Sequence, residues 1–369
     1  MNQLFRWDQT GLFLLALAAG ILPFAVPEVC ATALREGLAL CCGPLLLSLF
    51  PFLVVSRLLV QCPESDLLAL PFRLAAWGIG IRTPCAARVL CIGFLGGFAP
   101  AASAAAQAVR TGQLTAEEAD ALLPACICSG PSFVVLTVGQ SLLGSAELGV
   151  LLFASQITAN YLTAALLNRF AGVRSVKPGS AVPAFPAPPR LDEILADAAI
   201  TYCKLCGFIL FFRMLAAGAG ALLPAGAGTL CSILLEVCSG CDLASHTGRW
   251  GSLFCCAALS VQGLSVLLQV RTICPPEMTL RPLYRARMLH LPLSLALFYL
   301  LLPGGEADVF STLPARVLLM RRVPPDCALL VFAVCCMAAC TLRSGIRQVE
   351  QKQMARNAGG CCINSKTLL

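Results

Sequence analysis

The chain has 369 residues, 58% of them hydrophobic and only 12% charged, against roughly a quarter charged in soluble domains; with a mean hydropathy of +0.82, this excludes an ordinary soluble protein and places most of the sequence in a bilayer. The net charge of +7 is read as loop topology, because positive loops mark the cytoplasmic side, and not as a nucleic-acid footprint. The 22 cysteines exclude little: most sit inside apolar runs, such as Cys41-Cys42, Cys255-Cys256 and Cys335-Cys336, where Cys is a small hydrophobe, whereas disulfide frameworks belong to short secreted chains.

From the N-terminus, residues 11–26 form an apolar run with no small-x-small cleavage site ahead of the next one, so they read as an anchor helix and not a cleaved signal. Windows of spanning length follow: 11–27, 36–61, 121–143, 146–168, 198–223, 250–270, 286–302 and 326–342. Two further apolar stretches, 90–108 and 226–241, are short and interrupted and are read as re-entrant. The expected architecture is an all-α polytopic membrane protein, with about eight transmembrane helices and two re-entrant segments in inverted repeats. Its parts are an anchor helix (1–35), a first repeat (36–170), a Pro-rich cytoplasmic linker (171–197), a second repeat (198–302), a C-terminal transmembrane helix (303–342) and a basic tail (343–369). With a cytoplasmic N-terminus, most Arg and Lys of the connecting stretches and of the tail fall inside; Arg316, Arg321 and Arg322 run against that arrangement. Thr115-Ala116-Glu117-Glu118 is a capping box that starts a short helix, and Glu117, Glu118 and Asp120 read as a solvated face.

The chemistry is expected at paired interruptions, one set in each half. The first half carries Gly96-Gly97-Phe98-Ala99-Pro100 and Cys128-Ser129-Gly130-Pro131-Ser132; the second carries Glu236-Val237-Cys238-Ser239-Gly240-Cys241-Asp242. A helix broken at membrane depth strands backbone N–H and C=O groups, which persist only where protein buries them or a cavity solvates them. Pro100 and Pro131 suit the first turn of half-helices, whose N-termini attract anions; Ser239 and Asp242 are candidates to cap a third. Ser103, Gln107, Gln262 and Gln269 are polar groups that apolar helices do not need, though interhelical hydrogen bonding would also account for such residues. Gln156 and Asn160 belong with them. Two ionisable residues lie inside apolar segments: Glu236, to hold a proton, a cation or a polar solute, and Arg213, to balance an anion. A mutual ion pair between them is the alternative. No metal is expected at Cys126-x-Cys128 or Cys238-x-x-Cys241, because zinc takes four ligands and no His pair accompanies them. No enzyme activity is expected either: there is no nucleophile–base pair, and neither His246 nor His290 has an evident acidic partner in sequence.

Five stretches carry a resemblance, in order. They are Leu49-Phe50-Pro51-Phe52-Leu53-Val54-Val55-Ser56, Gly93-Phe94-Leu95-Gly96-Gly97-Phe98-Ala99-Pro100, Ser129-Gly130-Pro131-Ser132-Phe133, Leu235-Glu236-Val237-Cys238-Ser239-Gly240-Cys241, and Gln262-Gly263-Leu264-Ser265-Val266-Leu267-Leu268-Gln269-Val270. Over about residues 10–302 the chain resembles the YlbJ-type (SpoVV) sporulation integral membrane proteins of the nucleoside-recognition, or Gate, superfamily. It departs from them at Cys126 and Cys128, where Asn often precedes Ser-Gly-Pro, and at Leu267, where His is frequent. The resemblance implies transport of dipicolinic acid from mother cell to forespore. It also implies a nucleoside-transporter-like site built from Gly97 to Gln107, Cys128 to Ser132, Glu236 to Asp242 and Gln262 to Gln269.

The expected function is therefore alternating-access transport of a small polar or anionic solute, with dipicolinate first. A nucleoside or other metabolite, or a structural sporulation protein without transport, is the alternative. The partners are the solute and the lipid bilayer, with no nucleic acid; a homo-oligomer and coupling to protons or sodium are left open, and no cofactor is expected. The location is a bacterial cell membrane, which is the outer forespore membrane in a sporulating host, with both termini cytoplasmic.

Overall fold

Proline and glycine place most helix boundaries. The computed structural model describes residues 9–62, 65–171 and 191–302; the expected span at 326–342, most of the Pro-rich linker and the basic tail lie outside the described residues. Among the described residues the chain is all-α, with no strand. It begins with α1 (Gln9–Ala25), α2 (Pro27–Cys42) and α3 (Pro44–Gln61), followed by the short α4 (Ser65–Leu68) and α5 (Leu70–Gly78). Pro27 and Pro44 open their helices, where a missing N–H costs nothing. This corrects two expected boundaries. The first apolar helix stops at Ala25, because the residue before a proline is pushed out of the helical region. The window 36–61 is divided at Gly43, ahead of Pro44.

The remaining elements repeat one order in each half. In the first, α6 (Pro84–Gly96) and α7 (Phe98–Arg110) fold against each other as a hairpin. Next comes a helix in two pieces, α8 (Ala116–Cys126) and a π-type segment (Ser132–Leu142), and then the long α9 (Ala146–Ala171). The second half follows α10 (Leu191–Leu222) with the hairpin of α11 (Ala225–Leu235) and α12 (Val237–Ser245). A helix in two pieces, α13 (Gly251–Val261) and α14 (Gly263–Ile273), then precedes α15 (Arg281–Leu301). The packing is reciprocal: α7 lies on α14, α12 on the π-type segment, and α9 along α15. Both stretches read as re-entrant are thus hairpins, each longer than expected: 84–110 in place of 90–108, and 225–245 in place of 226–241. The window 121–143 is not one helix, and neither is 250–270.

Among the described residues, four helical stretches are long and apolar enough to cross a membrane: Pro27–Leu47, Ala146–Ala171, Leu191–Leu222 and Gly248–Ile273. The protein is an all-α membrane protein. One large apolar core joins both hairpins, the divided helices, α9 and α15. Two smaller cores join α1, α2 and α10, and α3, α7 and α10. Every alanine of α7 is buried, and small residues let helix backbones approach closely where lipid supplies no hydrophobic drive. Arg213 Nη2 pairs with Glu36 Oε2 at 2.8 Å, and Arg57 with Asp197; these pairs tie α10 to α2 and α3. The expected alternative of an Arg213–Glu236 pair is therefore not what forms.

The capping box is present: Thr115 Oγ1 accepts from Glu118 N at 3.1 Å, and Thr115 N donates to Glu118 Oε2 at 3.2 Å. The solvated-face reading holds for Glu117, which is exposed, and is corrected for Glu118 and Asp120, both buried. Glu118 accepts from Thr83 Oγ1 at 2.6 Å. Asp120 accepts from Thr279 N (2.8 Å), Thr279 Oγ1 (2.7 Å) and Leu280 N (3.0 Å). Those bonds hold Leu280 at φ +56, a left-handed conformation that a branched side chain resists, and so set the start of α15. Asp120→Ala orphans the buried Leu280 N–H, with the exposed Thr279 left to water, and is expected to destabilise the protein by about 2 kcal/mol, read as a lower melting temperature; Asp120→Asn, which keeps an acceptor, is expected to lose less.

Candidate functional site

Each hairpin tip rests on the break of the divided helix that follows it. The first tip is Gly97, at φ +79 and ψ −162. A Cβ there would stand 2.7 Å from Gly130 N and 3.2 Å from Cys128 O, so the tip lies directly on the 127–131 break. The second tip is Glu236, in extended conformation between α11 and α12. A Cβ at Gly263 would meet Leu235 O at 2.9 Å and Glu236 N at 3.0 Å, which seats this tip on the Gln262–Gly263 break. Gln262 itself is left-handed, at φ +63, a strain that surrounding structure must hold in place. This second break is not legible in the local sequence, because no proline marks it; only the resemblance draws the stretch from Gln262 to Gln269 into the expected site.

The buried Glu236 carboxylate caps α12, accepting from Cys238 N at 2.9 Å and Ser239 N at 2.7 Å. The expected caps are thereby corrected: Ser239 supplies a donor, and Asp242 lies within α12, 3.9 Å from His246 one turn on. His246 thus has an acidic neighbour that the sequence reading missed. The two halves differ electrically as a result. The positive end of α12 is met by its own carboxylate, whereas α7 and the π-type segment begin without a side-chain cap.

A cavity of about 60 Å³ lies beside both tips and the first break; Ser129, Ser132, Glu236 and Gln269 line it within a mostly apolar wall that includes Leu45, Phe98, Ile209 and Val266. A second cavity, of about 150 Å³, is lined by Arg57, Ser103, Arg110, Asp197, Lys204 and Gln269 among others. With Asp197 engaged by Arg57, its lining is net basic. Gln269 lines both cavities; its Nε2 donates to Ser265 Oγ at 3.0 Å, and its buried Oε1 has no partner.

Behind the breaks, the long helices face each other with polar stripes at helical spacing: Gln156, Asn160 and Thr163 on α9, and Arg287, His290 and Ser294 on α15, all buried. Gln156 Nε2 donates to Cys256 O (3.2 Å) and Ser260 Oγ (3.0 Å), and His290 Nε2 lies 3.2 Å from Gln156 O. Ile127 O, freed at the end of α8, receives Arg287 Nη2 at 2.5 Å, Asn160 Nδ2 at 3.3 Å and Gln262 Nε2 at 3.5 Å.

Of the residues expected from sequence, Ser129, Gly130, Ser132, Glu236 and Gln269 line the first cavity, and Ser103 the second. Gly97 forms the tip beside the first. Pro100 lies in the first turn of α7 against Gly96, and Pro131 immediately precedes the π-type segment. Gly240 packs on Ile233 within the second hairpin. Gln107 is half-buried on α7 and lines neither cavity, while Gln262 sits at its break. Arg213 is held on Glu36 and lines neither cavity. Arg287 and His290 were missed; the Arg287/His290/Ser294 spacing at the head of an apolar window was the signal that would have found them.

The fold and site define an all-α membrane protein in which two hairpin tips meet two helix breaks, beside a small, mostly apolar cavity that holds a few polar groups. The chain matches no protein-family model, no curated protein and no solved structure.

Proposed function

We propose that this protein is a transporter of a small polar or anionic solute, bound between the hairpin tips and moved by alternating access. The observation that carries the reading is that both hairpins and both divided helices supply residues to one small cavity, whose mostly apolar wall carries the polar groups of Ser129, Ser132, Glu236 and Gln269. Interrupted helices at membrane depth persist where they line such a cavity, and their pairing across two halves is the mark of solute sites in transporters. In this reading the two halves are inverted repeats in a chain of about eight crossings, with the hairpins re-entrant from opposite faces. The cavity of about 60 Å³ holds a few waters, so solute access requires a tip to move aside. In this reading a hairpin moves relative to the helices packed around it; α1, α2 and α10 share a core of their own, whereas α3 is packed on the first hairpin.

Dipicolinate, the solute implied by the resemblance to YlbJ-type proteins, is the first candidate. The basic lining of the larger cavity would gather an anion, and the uncapped starts of α7 and the π-type segment would receive a carboxylate. A nucleoside is the second reading, favoured by one observation: Glu236 and Gln269 line the smaller cavity and Arg213 does not.

Uptake of labelled dipicolinate and labelled uridine into proteoliposomes, side by side, tests the proposal. The expected result is dipicolinate uptake that falls roughly tenfold in Gln269→Ala, the loss of one buried hydrogen-bonding group, and that keeps its selectivity in Arg213→Gln. Uptake of uridine alone moves the protein to the nucleoside reading. Uptake of neither by folded protein overturns transport of these solutes and favours the structural role.

A further inference from the structure

The cluster behind the breaks contains a cation without a carboxylate. Arg287 is 7% exposed and forms no ion pair among the described residues. Its guanidinium instead spans two carbonyls: Nη2 to Ile127 O at 2.5 Å and Nη1 to Ser260 O at 3.3 Å. Ile127 immediately follows α8, and Ser260 lies in the last turn of α13. Both carbonyls therefore stand at the C-terminal ends of half-helices, one from each divided helix. Each such end carries roughly half a negative elementary charge, so two together match one guanidinium. That balance explains how a buried arginine is tolerated where an uncompensated charge is strongly disfavoured.

The same carbonyls are the kind of group that holds a monovalent cation in transporters with unwound helices, where freed C=O groups and half-helix C-termini serve as ligands. Here a planar fork of donors already occupies them. Asn160 and Gln262 complete the ring of donors around Ile127 O.

We propose that Arg287 is the resident cation of the two helix breaks: it neutralises and pins together the ends of α8 and α13, so the breaks hold their geometry without bound sodium. The inference concerns the scaffold of the site and does not depend on which solute is carried.

The test is thermal unfolding of the full-length protein in detergent, in choline chloride, in sodium chloride and in choline chloride with about 10 mM guanidinium. The parent is expected to melt at the same temperature in sodium and in choline. Arg287→Ala is expected to melt about 5 °C lower or more and to recover at least half of that loss with guanidinium, which enters the vacated space. Arg287→Met, which fills the space without charge, is expected to be destabilised and not rescued. An alanine or methionine variant as stable as the parent overturns the proposal. So does an alanine variant that guanidinium leaves unchanged, which assigns the loss to packing. A parent stabilised by sodium over choline by a comparable margin also overturns it, and this arm decides alone if neither variant folds.

Discussion

Glu236→Ala is expected to abolish uptake and to lower the melting temperature. The carboxylate is buried and accepts from two backbone N–H groups at the start of α12. Alanine leaves both donors without a partner, next to Gly263 and the second break. An N-cap of this kind is worth about 0.5–2 kcal/mol, and an orphaned buried donor adds roughly 1–3 kcal/mol. A loss near 3 kcal/mol at the tip that walls the cavity frays the second hairpin and opens the site. Glu236→Gln keeps one good acceptor and is expected to lose about half as much stability, with uptake impaired and not abolished. Parallel thermal unfolding and proteoliposome uptake check both variants. An alanine variant that melts and transports like the parent removes Glu236 from the tip's architecture and from the site.

Gly97→Ala is expected to have a comparable effect for a different reason. At φ +79 and ψ −162 the backbone occupies a region essentially reserved for glycine, and a side chain there costs about 1–3 kcal/mol. The added Cβ would also stand 2.7 Å from Gly130 N and 3.0 Å from Gly130 Cα. Those atoms are backbone, so no rotamer change relieves the contact, and the first tip must lift from its break. Folded protein with little or no uptake is the expected outcome. Gly207→Ala, in open space on α10, is the control expected to leave melting temperature and uptake unchanged. A Gly97→Ala protein that transports normally would mean that the tip and break do not need to touch.

Legibility followed the range of the interaction. The break at Cys128 to Ser132 was readable because glycine and proline act on their own backbone; so was the Gly97 tip. The capping box was readable because its two partners are three residues apart. The Gln262–Gly263 break was not, since a single glycine in an apolar run is a weak signal. Glu118 and Asp120 looked solvated because their partners, Thr83 and the Thr279–Leu280 backbone, are distant in sequence. Arg213 drew attention as a charge deep in a helix, yet the cation that reaches the breaks is Arg287, which lies near the start of its helix.

The sequence by itself determined the solvent, the all-α class, and the places where most helices start, stop or break. Each follows from composition and from the local chemistry of proline, glycine and caps. The tertiary structure alone decided which tip meets which break, that Glu236 caps α12 instead of pairing with Arg213, and that two half-helix ends converge on Arg287. Those outcomes depend on how helices far apart in the chain approach one another. A buried charge takes whichever dipole, carbonyl or carboxylate the packing brings within reach.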